Sequence, residues 1–257
     1  MLFAHALRSI TGVGNVSTEA FRLVPPPASC HVYWLHPTAV RDHLRRGTSD
    51  FVLVPIACVP EFVDRYEAVG YGIAACESLV SVRLFSSVST DAIAETDGGI
   101  YVSGASQSSR QLLRVLWRHR YGRDPILTPI PESAVACVLI GDEAVISHFS
   151  CTWPVSTDLC AWWSRATGLP FVFARWFVSR RLSPSATQVC LQWLEACCQA
   201  AASPAGQQLM VERARSRGLF PTSADGHDYF RRLMLRLDTR CVQAEQNFLR
   251  EIDPAYA

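Results

Sequence analysis

Short apolar runs alternate with helix-patterned stretches through the first half of the chain. Residues 6–10 read as a first strand, Gly12-Val13-Gly14-Asn15 as a turn, and a helix begins near Ser17. Pro25-Pro26-Pro27 ends that helix, because proline donates no backbone hydrogen bond and fixes φ. Strand patterns return at 30–35 and 51–56, flanking a helix at 37–46 with Pro37 in its first turn. Phe51-Val52-Leu53-Val54-Pro55-Ile56 is apolar without interruption, as expected of a parallel strand covered on both faces. A β-α-β-α-β order implies right-handed crossovers and ligand sites at the carboxyl ends of the strands.

Residues 71–86 continue as extended chain, and Ser86–Thr90 with Asp97-Gly98-Gly99 mark a passage into a second lobe. That lobe carries a strand at 99–103, a helix at 107–121 and strands near 126–129 and 134–140. A short helix after Gly141-Asp142, a helix at 157–167 and a strand at 170–178 complete it. Beyond Arg180 the pattern is helical, at 184–202, 204–217 and 226–251. The prediction is an α/β protein of two lobes, the first from 1–87 and 179–257, the second from 88–178. Two chain crossings between lobes make a hinge, with a small anionic ligand held in the cleft. Residues 156–178 carry most of the weight in that reading.

The chain has 257 residues, enough for two compact lobes with cores of their own. Its hydrophobic content of 49% and charged content of 18% exclude a disordered chain. A net charge of +1 supplies no field for nucleic acid or an anionic membrane, so an anion must be held by local groups. Ten cysteines are scattered without a C-x-x-C pair, many in apolar runs such as Ala136-Cys137-Val138, where thiols act as small hydrophobes. A reduced, cytoplasmic protein is expected from that usage. The first residues lack a signal-peptide pattern, and no run approaches the ~18 apolar residues of a membrane span.

Three segments can carry chemistry. Ser106-Gln107-Ser108-Ser109 lies between a strand and a helix whose apolar face holds Leu112, Leu113, Leu116 and Trp117. Unpaired N–H groups of a first helical turn, with hydroxyls beside them, suit a carboxylate or phosphate; ordinary capping by one serine accounts for the same residues. Asn15 offers a ligand both a donor and an acceptor, or simply tolerates the turn. Asp142 follows a buried strand at a cleft position, and equally can cap the next helix. The seven histidines show no metal-ligand spacing, so no metal site is expected, and no P-loop or G-x-S-x-G elbow is present.

Taken in order, these segments resemble the chorismate dehydratase family, which opens the futalosine route to menaquinone. The most specific part is Asp158-Leu159, then Trp162 or Trp163, then Thr167-Gly168-Leu169-Pro170-Phe171-Val172-Phe173-Ala174 and Trp176. Ala136–Ala144, with its Leu139-Ile140-Gly141-Asp142 core, resembles the family's strand-turn. Ser106–Ser109 followed by Leu112-Leu113, Ser81–Ser86, Asn15 and the stretch from Tyr229 to Leu249 are similar to further family segments. The resemblance implies a fold like the type 2 periplasmic binding proteins with an interlobe cleft, and a hydro-lyase that takes water from chorismate. The product would be 3-[(1-carboxyvinyl)oxy]benzoate, and the chemistry calls for no metal, flavin or nicotinamide. It needs a fixed ring, a proton acceptor, assistance to the departing hydroxide and exclusion of water. On that basis Asn15 and Ser81 are the expected catalytic residues. Ser106, Ser108, Ser109 and Asp142 are expected to bind the small dicarboxylate substrate. No His, Lys or Glu stands out as the base, leaving a substrate carboxylate to accept the proton.

Three departures lie in the first lobe. Cys76-Glu77-Ser78-Leu79 stands where the family has an acidic-glycine-proline turn, Cys58 where it tends to place a glutamate, and Val13-Gly14 before Asn15 where it has an aromatic and a leucine. Two rival readings therefore stand beside the dehydratase: a non-catalytic cytosolic binding protein for a small carboxylate, and the related 1,4-dihydroxy-6-naphthoate synthase.

Overall fold

The computed structural model describes residues 9–28, 30–96, 98–102 and 107–253. Strand β1 (Ser9–Val13) leads through a 3-10 helix at Val16–Arg22 to β2 (His31–Leu35), α1 (Pro37–Arg46) and β3 (Phe51–Pro55). A second 3-10 helix at Ile56–Glu61 precedes β4 (Tyr66–Ala75) and β5 (Val82–Ser86). Next come α2 (Thr90–Ala94), β6 (Ile100–Val102), α3 (Gln107–Tyr121), β7 (Leu127–Thr128) and β8 (Ala136–Ile140). They are followed by α4 (Gly141–Phe149), β9 (Val155–Asp158), α5 (Leu159–Thr167) and β10 (Phe171–Ser179). The C-terminal part is α6 (Pro184–Ala202), α7 (Pro204–Ser216), α8 (Ser223–Arg231), β11 (Leu233–Arg236) and α9 (Thr239–Ile252).

These strands form two sheets. One has the order β11-β4-β10-β3-β1-β2, the other β7-β6-β8-β5-β9. Uninterrupted apolar runs occupy interior places, because only there are both faces covered. Thus β3 lies between β10 and β1, and every residue of β5 is buried between β8 and β9. In β10, Trp176 is fully buried, stacked on Phe51 at 4.8 Å and edge-on to Phe21 at 5.3 Å and Trp193 at 5.7 Å. That aromatic group closes the outer face of the first sheet under α6. Strand β1 runs parallel to both β2 and β3, so the turns after β1 and β3 emerge at one edge of the sheet.

Sheet membership differs from the pattern-based division at 87/88 and 178/179. β5 pairs with β8 and β9 in the second sheet, whereas β10 pairs with β3 and β4 in the first. Both are mostly buried strands, and periodicity carries no information about which strand each will pair with. We take the lobes to be the two sheets with their helices, joined at 76–81 and 159–170.

Further differences have the same origin. The Gly12-Val13 part of the expected first turn belongs to β1, and the helix near Ser17 is a 3-10 helix. Residues 6–8 of the expected first strand lie outside the described residues. Polar Val155-Ser156-Thr157-Asp158 is a strand because it pairs with β5. The expected helix at 226–251 is broken by β11, which pairs with the outer edge of β4 through Leu233–Ala75 and Met234–Ala74. Among the described residues, no helix is long and apolar enough to cross a membrane.

All ten cysteines are free; Cys151 is exposed, while Cys58, Cys160, Cys190, Cys197, Cys198 and Cys241 are buried. Burial pushes the Cys58 thiol up to about 11 and the Cys190 and Cys197 thiols up to about 12. Reactivity belongs to the thiolate and needs access. In the native protein a disulfide dye should therefore label Cys151 rapidly and the six buried thiols only on unfolding. Mass mapping of the labelled sites checks this; rapid native labelling of Cys58 would contradict it.

Candidate active site

The first sheet delivers Asn15 to its carboxyl edge. The Gly14 N–H donates to the Leu35 carbonyl at 2.9 Å, ending β1 against β2. Asn15 is then extended, with φ −151°, and caps the 3-10 helix: its Oδ1 accepts from the Ser17 N–H at 3.0 Å. Thr18 completes the reciprocal cap by donating to the Asn15 carbonyl at 2.7 Å and accepting from its N–H at 3.3 Å.

The second sheet delivers Gly141 and Asp142 to the same place. Gly141 has φ +57°, and its N–H donates to the Ser81 carbonyl at 2.7 Å. A Cβ on Gly141 would stand in ordinary contact with Asn15, 3.4 Å from its Cβ and 3.5 Å from its Nδ2, so it is the left-handed conformation that calls for glycine. Asp142 Oδ1 accepts from the Val16 N–H at 2.8 Å, and Arg217 bridges Asp142 at 3.4 Å and buried Glu19 at 3.0 Å. Asp142 thus fastens the two lobes together across the start of the 3-10 helix.

Ser81 sits just before β5 under a buried chain of hydroxyls. The Tyr229 hydroxyl donates to Ser81 Oγ at 3.0 Å and lies 2.8 Å from Ser17 Oγ. A phenol has one proton to give. With it committed to Ser81, Ser17 is the donor to Tyr229, and the Ser81 proton is directed elsewhere. Burial pushes the Tyr229 hydroxyl up to about 12, so it stays protonated and orients Ser81 rather than accepting protons.

At the carboxyl end of β3, the 3-10 helix at Ile56–Glu61 meets the start of α3. Ser108 Oγ accepts from the Ala57 N–H at 3.2 Å, and the Cys58 thiol lies 3.8 Å from Gln107 Oε1. Ser108 and Ser109 are both buried. Ser106 lies outside the described residues.

The joint between the lobes is organised by Asp158. Its Oδ1 caps α5 through the Ala161 N–H at 2.9 Å. Its Oδ2 accepts from the Leu79 N–H at 2.7 Å, Ser78 Oγ at 3.0 Å and Arg83 Nη1 at 3.2 Å. Arg83 also donates to Ser156 Oγ at 2.6 Å and to its carbonyl at 2.9 Å. Desolvation lowers the Arg83 pKa, and the Asp158 carboxylate opposes that shift. Glu77, in the same turn, holds φ +72°, a left-handed conformation that glycine adopts freely and glutamate at a cost.

Asn15, Ser81 and Asp142, expected from sequence, therefore meet around Gly141, while Ser108 lies along the same sheet edge against Ala57. Tyr229, Ser17 and Arg217 were not foreseen. Ser17 and Tyr229 are 212 positions apart, and no local pattern links them. Among the described residues the arrangement offers amide and hydroxyl groups to a small polar molecule, and its carboxylate, Asp142, is engaged by Val16 and Arg217. The sequence has no lysine, all 24 Lys+Arg positions being arginine. The Cys58 thiol is neutral at pH 7 because burial raises it to about 11. Among the described residues, no group of three His, Cys, Asp or Glu side chains could hold a metal ion.

Solved structures share this architecture. Protein AF1704 from Archaeoglobus fulgidus superposes with TM-score 0.70 at 13% identity, over 96% of this chain and 97% of that one. The alkanesulfonate-binding protein SsuA from Xanthomonas axonopodis pv. citri, bound to MOPS, gives 0.63 at 13% identity over 98% and 93%. A Candida albicans protein, CA3427, described as having the generic periplasmic binding protein fold, gives 0.58 at 12% identity over 96% and 90%. The fold is thus the two-lobed α/β fold of periplasmic binding proteins. No curated protein matches the chain in sequence. A family model described as menaquinone biosynthesis matches residues 5–253, nearly the whole length, and the chain belongs to that family.

Proposed function

We propose that the protein is a chorismate dehydratase, a cofactor-independent carbon–oxygen lyase of the cytoplasm that supplies the menaquinone route. The observation that carries this reading is the meeting of Asn15, Gly141 and the Ser17–Tyr229–Ser81 chain where the two sheets abut. In the reaction a proton leaves the ether-bearing ring carbon and the hydroxyl leaves its neighbour. Together they make the one water released, and the ring becomes aromatic. Ser81, its proton directed away from Tyr229, donates to the departing hydroxyl. The Asn15 amide donates from the first lobe to the ring substituents. Ser108 accepts from Ala57 and keeps its own proton for a substrate carboxylate, with Ser109 and the N-terminus of α3 beside it. Asp142 holds the rim through Val16 and Arg217. The proton goes to a substrate carboxylate: burial keeps Tyr229 and Cys58 protonated, and the Asp142 carboxylate is engaged by the Val16 N–H and Arg217. Ser81 is 1% exposed, so substrate meets it after the lobes part, and their return excludes water.

Incubating the full chain with chorismate should consume it and release 3-[(1-carboxyvinyl)oxy]benzoate, followed by chromatography with mass detection. A second reading, a non-catalytic binder of a small carboxylate, is favoured by buried, neutral Cys58 beside Gln107 at the start of α3. Saturable chorismate binding without product would select it.

A further inference from the structure

A cavity in the first lobe lies between edge strand β2, the 3-10 helix at Val16–Arg22 and α6. It has a volume of about 400 Å³, within the ~300–1,000 Å³ usual for small-molecule sites. Trp34 of edge strand β2 and Trp193 of α6 form aromatic walls, and Phe21 and Pro25 belong to the same lining. Trp193 is held in place by donating from Nε1 to the Val24 carbonyl at 3.2 Å.

Arg22 and Arg213 belong to the same lining. Other arginines that line the joints of the fold are ion-paired: Arg83 with Asp158, Arg120 with Asp91, Arg175 with Glu245, Arg236 with Glu195. Among the described residues no carboxylate pairs with Arg22 or Arg213. Arg213 donates from Nη1 to the Arg22 carbonyl at 3.3 Å, which fixes its direction without cancelling its charge. Arg22 lies over the Trp34 ring at 4.7 Å, and its Nε is buried without a hydrogen-bond partner. Stacking satisfies the face of a guanidinium but not the N–H groups in its plane. With no carboxylate beside them, both guanidinium groups keep the full charge that would attract an anion into the cavity.

We propose that this cavity is a binding site for a small aromatic carboxylate. The carboxylate would pair with Arg22 and Arg213, and the ring would lie between Trp34 and Trp193. Neither partner alone is enough: the apolar walls repel an inorganic ion, and the two cations disfavour a neutral ring.

The test is titration of the full chain with sodium benzoate at constant ionic strength, read by calorimetry and tryptophan fluorescence. Saturable 1:1 binding is expected, with a Kd between about 10 μM and 1 mM. Benzyl alcohol and sodium chloride should not saturate. Arg213→Ala should weaken benzoate about tenfold or more, and Trp34→Leu should weaken it and remove most of the fluorescence change. If Arg213→Ala fails to fold, Arg213→Gln, with Trp34→Leu, decides the matter. No saturation by about 10 mM benzoate, or equal binding of benzyl alcohol, overturns the proposal. So does binding that survives the Arg213 and Trp34 variants but is lost in Asn15→Ser, which would put benzoate between the lobes.

Discussion

Ser81→Ala is expected to lower chorismate turnover about 10²–10³-fold, the usual effect of removing one positioned donor from a developing negative charge. The variant keeps the backbone carbonyl that receives the Gly141 N–H at 2.7 Å, so the approach of the two sheets survives. Tyr229 loses one partner and retains Ser17 at 2.8 Å, which limits the stability loss to about 1 kcal/mol. Asn15 needs a more careful replacement, because its Oδ1 also caps the 3-10 helix, and losing a cap costs about 0.5–2 kcal/mol. Asn15→Ser keeps a good cap and removes only the amide donors. It should show a similar fall in turnover with nearly unchanged thermal stability. Steady-state rates with chorismate, beside melting curves, check both. Rates within about threefold of the parent would remove Ser81 and Asn15 from the chemistry.

The second large effect concerns stability. Asp158→Ala is expected to destabilise the protein by about 3–5 kcal/mol, because it leaves Arg83 buried without its counter-charge. The ion pair is well shielded, with side-chain exposures of 10% and 7%. The same carboxylate also receives the Leu79 N–H, Ser78 Oγ and the first turn of α5, so one change frees several buried donors at the lobe joint. Most domains are stable by only about 5–15 kcal/mol, so this is a large share. Urea unfolding midpoints measure it. The double variant Arg83→Met/Asp158→Leu should be less destabilised than Asp158→Ala alone, since it removes the orphaned charge. A double variant as unstable as the single one would show that the charge is not the cause.

Local signals specified much of the molecule. The run Phe51–Pro55 is a buried strand because nothing polar interrupts it, and α3 spans Gln107–Tyr121 because its apolar positions recur at helical spacing. Ser183 with Pro184, and Ser203 with Pro204, start α6 and α7 as cap and first-turn chemistry require. Asn15, Ser81 and Asp142 were singled out as candidates through an ordered set of short segments no one of which is specific by itself.

Partnership was not legible. Whether β5 and β10 join one sheet or the other depends on strands far away in sequence, and periodicity is blind to that choice. Leu233–Arg236 is a strand only because β4 presents an open edge. Tyr229 acquires its role because α8 brings a buried phenol between Ser17 and Ser81, and Arg22 meets Arg213 only when α7 packs beside the 3-10 helix. The order of residues determines the elements, their caps and the family. The tertiary structure alone decides which polar groups are buried together, because hydrogen bonds and charge pairing depend on distance in space and burial, not on separation along the chain.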